Sequence, residues 1–242
     1  MRAIVVSLFL LVVTACGPQV IIGVPAPAAP GPAGAGPRAP VPVPARGPSR
    51  AAQDLVQVVD DVMPVARALC RSRTRGVRCD YAVVVDDRPG LPPNAFQTLS
   101  PQGQPVVGFT LPLILLARNI DELAFILSHE AAHHIEGHIA RGQQSAAVGA
   151  TLAAALATAG GGDPVTIERA RNFGAFYGAR RYAKGFELEA DALGAVIARR
   201  AGYDPVRGVM FFQDAPDPGN QFLGTHPPNA DRIATVRRVV GR

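Results

Sequence analysis

The chain has 242 residues, of which 48% are hydrophobic and 18% are charged. This length allows one medium-sized domain with flanking segments but not two full domains, and the composition suffices for a packed core. The formal net charge is +5, but the arginines are scattered along the chain and form no single basic stripe. Since no nucleic-acid-binding motif accompanies the charge, we interpret it as a solvated basic surface and expect no nucleic-acid partner.

The N-terminus has the pattern of a secretory signal. One positive charge at Arg2 precedes the apolar stretch Ala3–Val13, and small residues follow at Thr14 and Ala15. About eleven apolar residues are too few to cross a hydrocarbon core of ~30 Å as a helix. We therefore predict a signal peptide over residues 1–15.

The end of this segment, Val13-Thr14-Ala15-Cys16, resembles the bacterial lipobox, which implies that Cys16 is lipidated. The alternative is ordinary cleavage by signal peptidase, with Cys16 incidental. Gly17 follows the cysteine, and the resemblance to bacterial lipoproteins then implies the outer membrane, facing the periplasm. Secretion into the bacterial cell envelope is the firmer of these expectations.

A segment rich in Pro, Ala, Gly and Val continues to residue 48, so we predict a semi-extended tether over residues 16–48. The folded domain is then expected over residues 49–242. It opens with a helix over Ala51–Arg71, whose apolar residues recur at the helical period, with a break or kink at Pro64.

Cys70 and Cys79 follow. In an oxidising compartment these cysteines would form a disulfide that closes a small loop. The competing interpretation is a pair of zinc ligands, but their separation lacks the geometry of a C-x-x-C hairpin.

Strands are predicted next. The β-branched run Tyr81–Val85 predicts one strand, and the stretch from Pro92 to Thr110 predicts a hairpin with its turn at Ser100–Gln104.

The second half of the domain is helical in pattern. A capping box of Asn119 and Glu122 predicts the start of a helix, and Gly142 predicts its end. The alanine-rich stretch 145–159 predicts a buried helix or a lid over the site, being too short and too weakly apolar to span a membrane. Helices follow over 168–199, with a possible break at Gly185, and over 229–240.

The motif His129-Glu130-Ala131-Ala132-His133 lies within the helix that begins near Asn119. Residues i and i+4 share one helix face, so His129 and His133 can bind one metal ion. Glu130 lies beside that ion, where it can take a proton from a bound water. We therefore predict one Zn²⁺ per chain, with Glu130 as general base.

The third ligand must come from elsewhere in the chain. A metzincin would need a glycine and a histidine where this chain has Glu136 and Ile139, so that class is excluded. Thermolysin-like sites take a glutamate from a second helix, which points to Glu187. Asp191 lies on the same face and would accept a hydrogen bond from a ligand histidine, whereas Glu189 points away.

Four motifs now occur in order along the chain: the strand motif Pro93–Phe96, the helix from Ile120 through the histidines to His138, the segment Glu187–Asp191, and Thr225–Pro228. Together they resemble the HtpX and CAAX prenyl protease family of zinc metallopeptidases, in particular its periplasmic lipoprotein members without their repeat domain. The resemblance implies a gluzincin-type α+β fold, mostly helical, with a small antiparallel sheet over the active-site helix. It also implies that an extended substrate pairs with the edge of that sheet. The chain departs from the family in lacking transmembrane helices beyond its signal and in the residues Arg181–Phe186.

Three further histidines remain. For His134 and His138 we favour packing or solvation over a metal role. His226 belongs to the Thr225–Pro228 motif, where it could donate to the oxyanion, occupy the fourth position on zinc as a latch, or merely pack.

The function that follows is a zinc metalloendopeptidase acting on proteins or peptides, with misfolded envelope proteins as the expected substrates and a lipid anchor as its membrane contact. Two other functions stay open: a non-proteolytic chaperone or scaffold with a structural zinc site, and a zinc hydrolase of another bond, such as one in peptidoglycan.

Overall fold

The computed structural model describes residues 47–219, 221 and 224–241. The predicted signal peptide, Cys16 and nearly all of the predicted tether therefore lie outside the described residues. In chain order, the elements are α1 (Pro48–Arg73), β1 (Ala82–Asp86), β2 (Ala95–Leu99), β3 (Pro105–Thr110), α2 (Leu111–Leu116), α3 (Ile120–Ile135), α4 (His138–Ala159), α5 (Pro164–Arg181), α6 (Ala183–Arg200), α7 (Pro205–Val209), α8 (Phe211–Asp214) and α9 (Asn229–Val240). This is the mostly helical α+β fold that the sequence predicts.

Helix α1 packs against α3 and covers one side of the core. Its buried side chains follow the helical period, and Val58, Val62 and Ala66 are completely inaccessible to solvent. Of the predicted break or kink at Pro64, the break is wrong, because α1 continues through this residue. Pro64 is exposed, so the hydrogen bond that it removes lies on the solvent side, while the opposite face keeps its packing.

The three strands form a mixed sheet in the order β1-β3-β2. Strands β2 and β3 are the predicted antiparallel hairpin, with Phe96 opposite Gly108. Strand β1 runs parallel to β3, with Val84 opposite Gly108, so the predicted antiparallel sheet holds only for the hairpin. The central strand is the buried one, since Val107 and Phe109 are fully covered.

Helix α3 begins after Asn119, whose side chain accepts the N–H of Glu122 at 3.1 Å. The Glu122 carboxylate accepts from the N–H of Arg118 at 2.7 Å, so only half of the predicted capping box forms. The helix ends at Ile135, because Gly137 adopts a φ of +68° that favours glycine. The predicted end at Gly142 is therefore wrong, and that residue lies inside α4.

Helices α4 and α5 pack antiparallel to each other. They form a hairpin that lies between α3 and α6 in the order of the chain. Of the two structures predicted for the stretch 145–159, the buried helix is wrong, since the only buried residue of α4 is His138, its first residue. Helix α5 ends at Arg181 and α6 begins at Ala183, so the break falls at Tyr182 rather than at Gly185. Among the described residues, no helix is long and apolar enough to cross a membrane.

Candidate metal centre

His129 and His133 lie one turn apart on α3 and line a cleft of about 480 Å³. Their Nε2 atoms are 2.9 Å apart. Glu187, on α6, reaches the same point: its Oε1 is 3.3 Å from His133 Nε2 and its Oε2 is 3.6 Å from His129 Nε2. The structure thus brings together the three residues that the sequence predicts as metal ligands.

This arrangement fits a metal ion. One ligand atom from each of the three residues lies within 4.8 Å of the other two. Zinc held tetrahedrally by bonds of about 2.0–2.2 Å sets its ligand atoms about 3.3–3.5 Å apart, close to the separations seen here. All three residues line the cleft, which has room for a substrate or a water molecule beside them.

The carboxylate of Glu187 has the charge that a ligand needs. Burial disfavours its ionised form, but hydrogen bonds from His129, His133 and His226 hold its pKa well below the usual range. Burial also opposes the charged form of His129, but its bonds to Asp191 and Glu187 prevail and raise its pKa to about 9.

Asp191 lies where the sequence predicts, with its Oδ1 3.0 Å from His129 Nδ1. Asp191 is fully buried. This contact leaves the Nε2 atom of His129 directed at the metal position and fixes the tautomer of the ring.

Sequence reasoning missed Arg232, on α9, which is 5% exposed. Its Nε and Nη2 donate to the two carboxylate oxygens of Asp191 at 2.8 and 2.7 Å. The guanidinium also lies 3.7 Å from the ring centroid of Phe212. A signal for this residue existed, because Arg232 lies four residues before the buried Val236 and hence on the buried face of its helix.

Glu130 lines the same cleft and is only 9% exposed. Burial raises the pKa of its carboxyl to about 7, against the opposing effect of the His129 charge. A carboxyl group with such a pKa can accept and release a proton near neutral pH, as a general base must.

The comparison with known proteins agrees with this geometry. A model of peptidase family M48 matches residues 50–240, which is most of the chain. The chain belongs to peptidase family M48. The cluster of His129, His133 and Glu187 is thus a candidate metal site within an M48 metallopeptidase domain, and proteins or peptides are the class of substrate that this family implies.

Two relatives show how far the similarity extends. The putative beta-barrel assembly-enhancing protease of Vibrio cholerae is 30% identical over 140 residues, which cover 52% of this chain and 28% of the relative. The mitochondrial metalloendopeptidase OMA1 of Saccharomyces cerevisiae is 27% identical over 173 residues, 67% of this chain and 47% of the relative. The match therefore spans less than half of each relative.

A second chain of hydrogen bonds contacts His133, the other histidine of the candidate metal site. The Nδ1 atoms of His133 and His138 are 2.8 Å apart, and His138 Nε2 is 3.1 Å from Glu189 Oε2. With His133 bound to metal through Nε2, its Nδ1–H donates to His138, whose own Nε2–H donates to Glu189. Glu189 does point away from the metal, as predicted, but it acts on the site through His138, which is buried rather than solvated.

We expect His138→Ala to weaken metal binding by roughly 10–100-fold, because the Nδ1–H of His133 loses its acceptor. His138→Gln, whose side-chain oxygen can accept the same bond, should recover part of the affinity. Competition with a zinc-chelating dye measures both variants without reference to turnover. Equal affinities of the wild type and His138→Ala would show that this contact does not support the ligand.

The remaining histidines differ in their surroundings. His134 packs against another element, as predicted, with its Nε2 2.7 Å from the carbonyl oxygen of Arg78 and its ring edge-on to Tyr81. His226 lies at the cleft, where its Nδ1 is 3.3 Å from Glu187 Oε2, and its side chain is 57% exposed. This position is compatible with both predicted roles of His226, as a hydrogen-bond donor to the oxyanion and as a latch on the fourth position of zinc.

Cys70 and Cys79 are joined in a disulfide, with their Cα atoms 5.8 Å apart. The bond ties the C-terminal end of α1 to the segment that leads into β1. Both cysteines are therefore disulfide-bonded and are not metal ligands.

Proposed function

We propose that the chain is a zinc-dependent endopeptidase of the bacterial cell envelope, with His129, His133 and Glu187 as zinc ligands and Glu130 as general base. The observation that carries the proposal is the convergence of three ligand atoms beside a buried carboxyl group whose pKa is raised to about 7. A site serving structure alone would need neither an open coordination position nor a base beside it.

Bound zinc supplies a Lewis acid that polarises the scissile carbonyl and acidifies water. Glu130 accepts the proton of the attacking water and then delivers it to the nitrogen of the departing amine. Asp191 and Arg232 hold His129 in one orientation, and His138 does the same for His133, so the ligand geometry is set before the substrate arrives.

An extended peptide can reach the cleft along the sheet. Strand β2 is an edge strand, since the order is β1-β3-β2, and Asn94, Ala95 and Gln97 from its region line the cleft. The unpaired backbone groups of β2 can bond to the backbone of a substrate, which favours unfolded segments of little fixed sequence.

The role of His226 is testable by the sign of one effect. If its imidazole donates to the oxyanion, His226→Ala lowers turnover by about 10²–10³-fold. If it occupies the fourth position on zinc at rest, the same change raises basal turnover. Cleavage of a quenched fluorescent peptide at matched zinc content decides between them, and an unchanged rate would leave only a packing role.

We further propose that the domain is anchored to the outer membrane through lipidated Cys16 and faces the periplasm, where misfolded or misassembled envelope proteins are its substrates. The lipobox resemblance supports the anchor, and the name of the Vibrio cholerae relative, which refers to beta-barrel assembly, supports the substrate class. Cys16→Ala should move the protein from the membrane to the soluble periplasmic fraction, because the acyl chains supply the strong anchor. Continued sedimentation with membranes would contradict the lipidation.

One assay separates the proposal from its two alternatives. Purified protein is incubated with casein and with peptidoglycan, each with and without a zinc chelator. Chelator-sensitive cleavage of casein alone supports the endopeptidase. Cleavage of peptidoglycan alone would indicate the other hydrolase, and the absence of cleavage in a zinc-loaded sample would favour the chaperone or scaffold.

A further inference from the structure

The hairpin of α4 and α5 has an unusually apolar surface. Among the described residues, six large apolar side chains are more than half exposed, and five of them lie on this hairpin: Val148, Leu152, Leu156, Val165 and Phe173. Phe176, on the same hairpin, is 46% exposed. Exposed apolar side chains concentrated in one place mark an interaction surface rather than ordinary scatter.

The contact between the two helices explains why these side chains remain outside. Gly149 and Gly174 pack so closely that a Cβ on either would overlap the backbone of the other, and Gly178 packs in the same way on Ser145. Small residues therefore occupy the contact between α4 and α5. The large apolar side chains are left with no partner helix within the hairpin to cover them.

Val148, Leu152 and Phe173 share one side of the hairpin. Two antiparallel helices turn in opposite senses when both are viewed from the same end. Where they touch, the residue that precedes the contact residue on one helix therefore lies on the same side of the pair as the residue that precedes the contact residue on the other. Val148 precedes Gly149 on α4, and Phe173 precedes Gly174 on α5. Leu152 lies four residues after Val148 and extends the same stripe.

The charge of the hairpin is opposite in sign to that of the remaining domain. Residues 138–181 contain five basic and two acidic residues, a net charge of +3, whereas residues 47–137 and 182–241 contain fifteen basic and seventeen acidic residues, a net charge of −2. Arg169 lies four residues before Phe173, on the same helix face. Arg180 stacks on Phe176 at 4.5 Å. Basic groups thus accompany the apolar side chains.

From this combination we infer that the apolar side of the α4–α5 hairpin binds the surface of a membrane that contains anionic phospholipids. Aliphatic and aromatic side chains enter the headgroup boundary, and arginines beside them contact lipid phosphates. A second copy of this chain is a poorer partner, because it would place a charge of +3 against another of +3.

Binding of this kind would hold the candidate metal centre near the membrane. Helix α4 starts at His138, and the chain from the end of α5 leads through Tyr182 into α6, which carries Glu187. The hairpin is therefore connected at both ends to elements that form the cleft. The inference does not depend on proteolysis, since lipid binding by the hairpin can be measured in protein without activity.

The absence of tryptophan from the sequence provides a direct probe. We expect full-length protein carrying Leu152→Trp or Phe173→Trp to shift its emission to shorter wavelength on vesicles of phosphatidylglycerol and phosphatidylethanolamine in equal parts. Brominated acyl chains should quench that emission, and vesicles of phosphatidylcholine alone should give a smaller shift. Val56→Trp, at an equally exposed apolar position on α1 (62% exposed), is the matched control and should not respond. The readout reports the local surroundings of one side chain, so anchoring through the N-terminus does not obscure it.

A second comparison tests the charges. In the Leu152→Trp background, the pair Arg169→Gln and Arg171→Gln should lose most of the shift on anionic vesicles, whereas the pair Arg71→Gln and Arg200→Gln, outside the hairpin, should retain it. If the emission wavelength of Leu152→Trp and Phe173→Trp does not change when vesicles are added, the inference is overturned. A shift that appears without lipid and grows with protein concentration would overturn it too, by identifying a second copy as the partner.

Discussion

We expect Glu130→Gln to lower the rate of peptide cleavage by at least ~10²-fold while the zinc content stays at about one ion per chain. Glutamine keeps the size of the side chain and can still accept a hydrogen bond, but it cannot take the proton of the attacking water. Because Glu130 is not among the converging ligand residues, its replacement leaves His129, His133 and Glu187 in place. Turnover of a fluorescent peptide, measured beside metal content by atomic emission, checks both parts of this prediction.

The matched control is Glu136→Gln, an acidic residue just after the same helix that pairs with Arg73 at 3.7 Å and lies outside the cleft. It should leave turnover within a factor of about two, as expected for a surface change. Near-normal activity of Glu130→Gln would contradict the proposed role of that carboxylate. Loss of zinc from this variant would show instead that Glu130 supports metal binding.

Removal of Arg232 is expected to destabilise the fold by roughly 3–5 kcal/mol, because it leaves the carboxylate of Asp191 buried without its bidentate partner. Both residues are at most 5% exposed, so water cannot replace the lost contact. Arg232→Met keeps most of the apolar volume of the side chain and isolates this electrostatic effect. The midpoint of urea unfolding, measured on chelator-treated protein, gives the change without any contribution from bound metal.

Two further variants complete this experiment. Arg237→Met, at an exposed position of the same helix, should change the unfolding free energy by less than about 0.5 kcal/mol. Arg232→Met combined with Asp191→Leu should be more stable than Arg232→Met alone, since no carboxylate then remains unpaired in the core. An equal loss of stability in Arg232→Met and Arg237→Met would contradict the structural role of the pair.

The candidate site could be predicted from the sequence because its residues stand in short, regular spacings. His129 and His133 are one helical turn apart, as are Glu187 and Asp191, and helix geometry alone places each pair on one face. Convergence of the two helices on one point was predicted from the chemistry of zinc, which needs a third protein ligand. The structure places Glu187 and Asp191 where those two arguments put them.

The features of the structure that could not be predicted are those that depend on contacts between segments far apart in the sequence. The spacing from Val236 places Arg232 on the apolar face of its helix, but Asp191 is far away in sequence and no spacing connects the two. The direction of β1 beside β3 depends on how the chain returns to the sheet, about which the strand sequence carries no information. Gly137 and Gly142 both suit a helix end, and packing selected Gly137, whose φ of +68° lets the chain turn into α4.

The α4–α5 hairpin shows a further limit. Its alanines and glycines favoured a buried helix, because small apolar side chains are common in cores. In the structure they serve the contact between two helices, while the larger side chains of α4 face outward. The composition of a segment indicates that it packs closely against something, but not which of its faces does so.

The most direct test of the central claim is a zinc titration of chelator-treated full-length protein, followed by the rate of casein cleavage at each zinc concentration. The account predicts no cleavage without metal and a rate that rises linearly until about one zinc ion is bound per chain, in keeping with a single catalytic site. In Glu187→Ala the same titration should give neither tight binding nor cleavage. Cleavage that persists in the metal-free protein, or zinc that fills the site of the wild type without producing any cleavage, would contradict it.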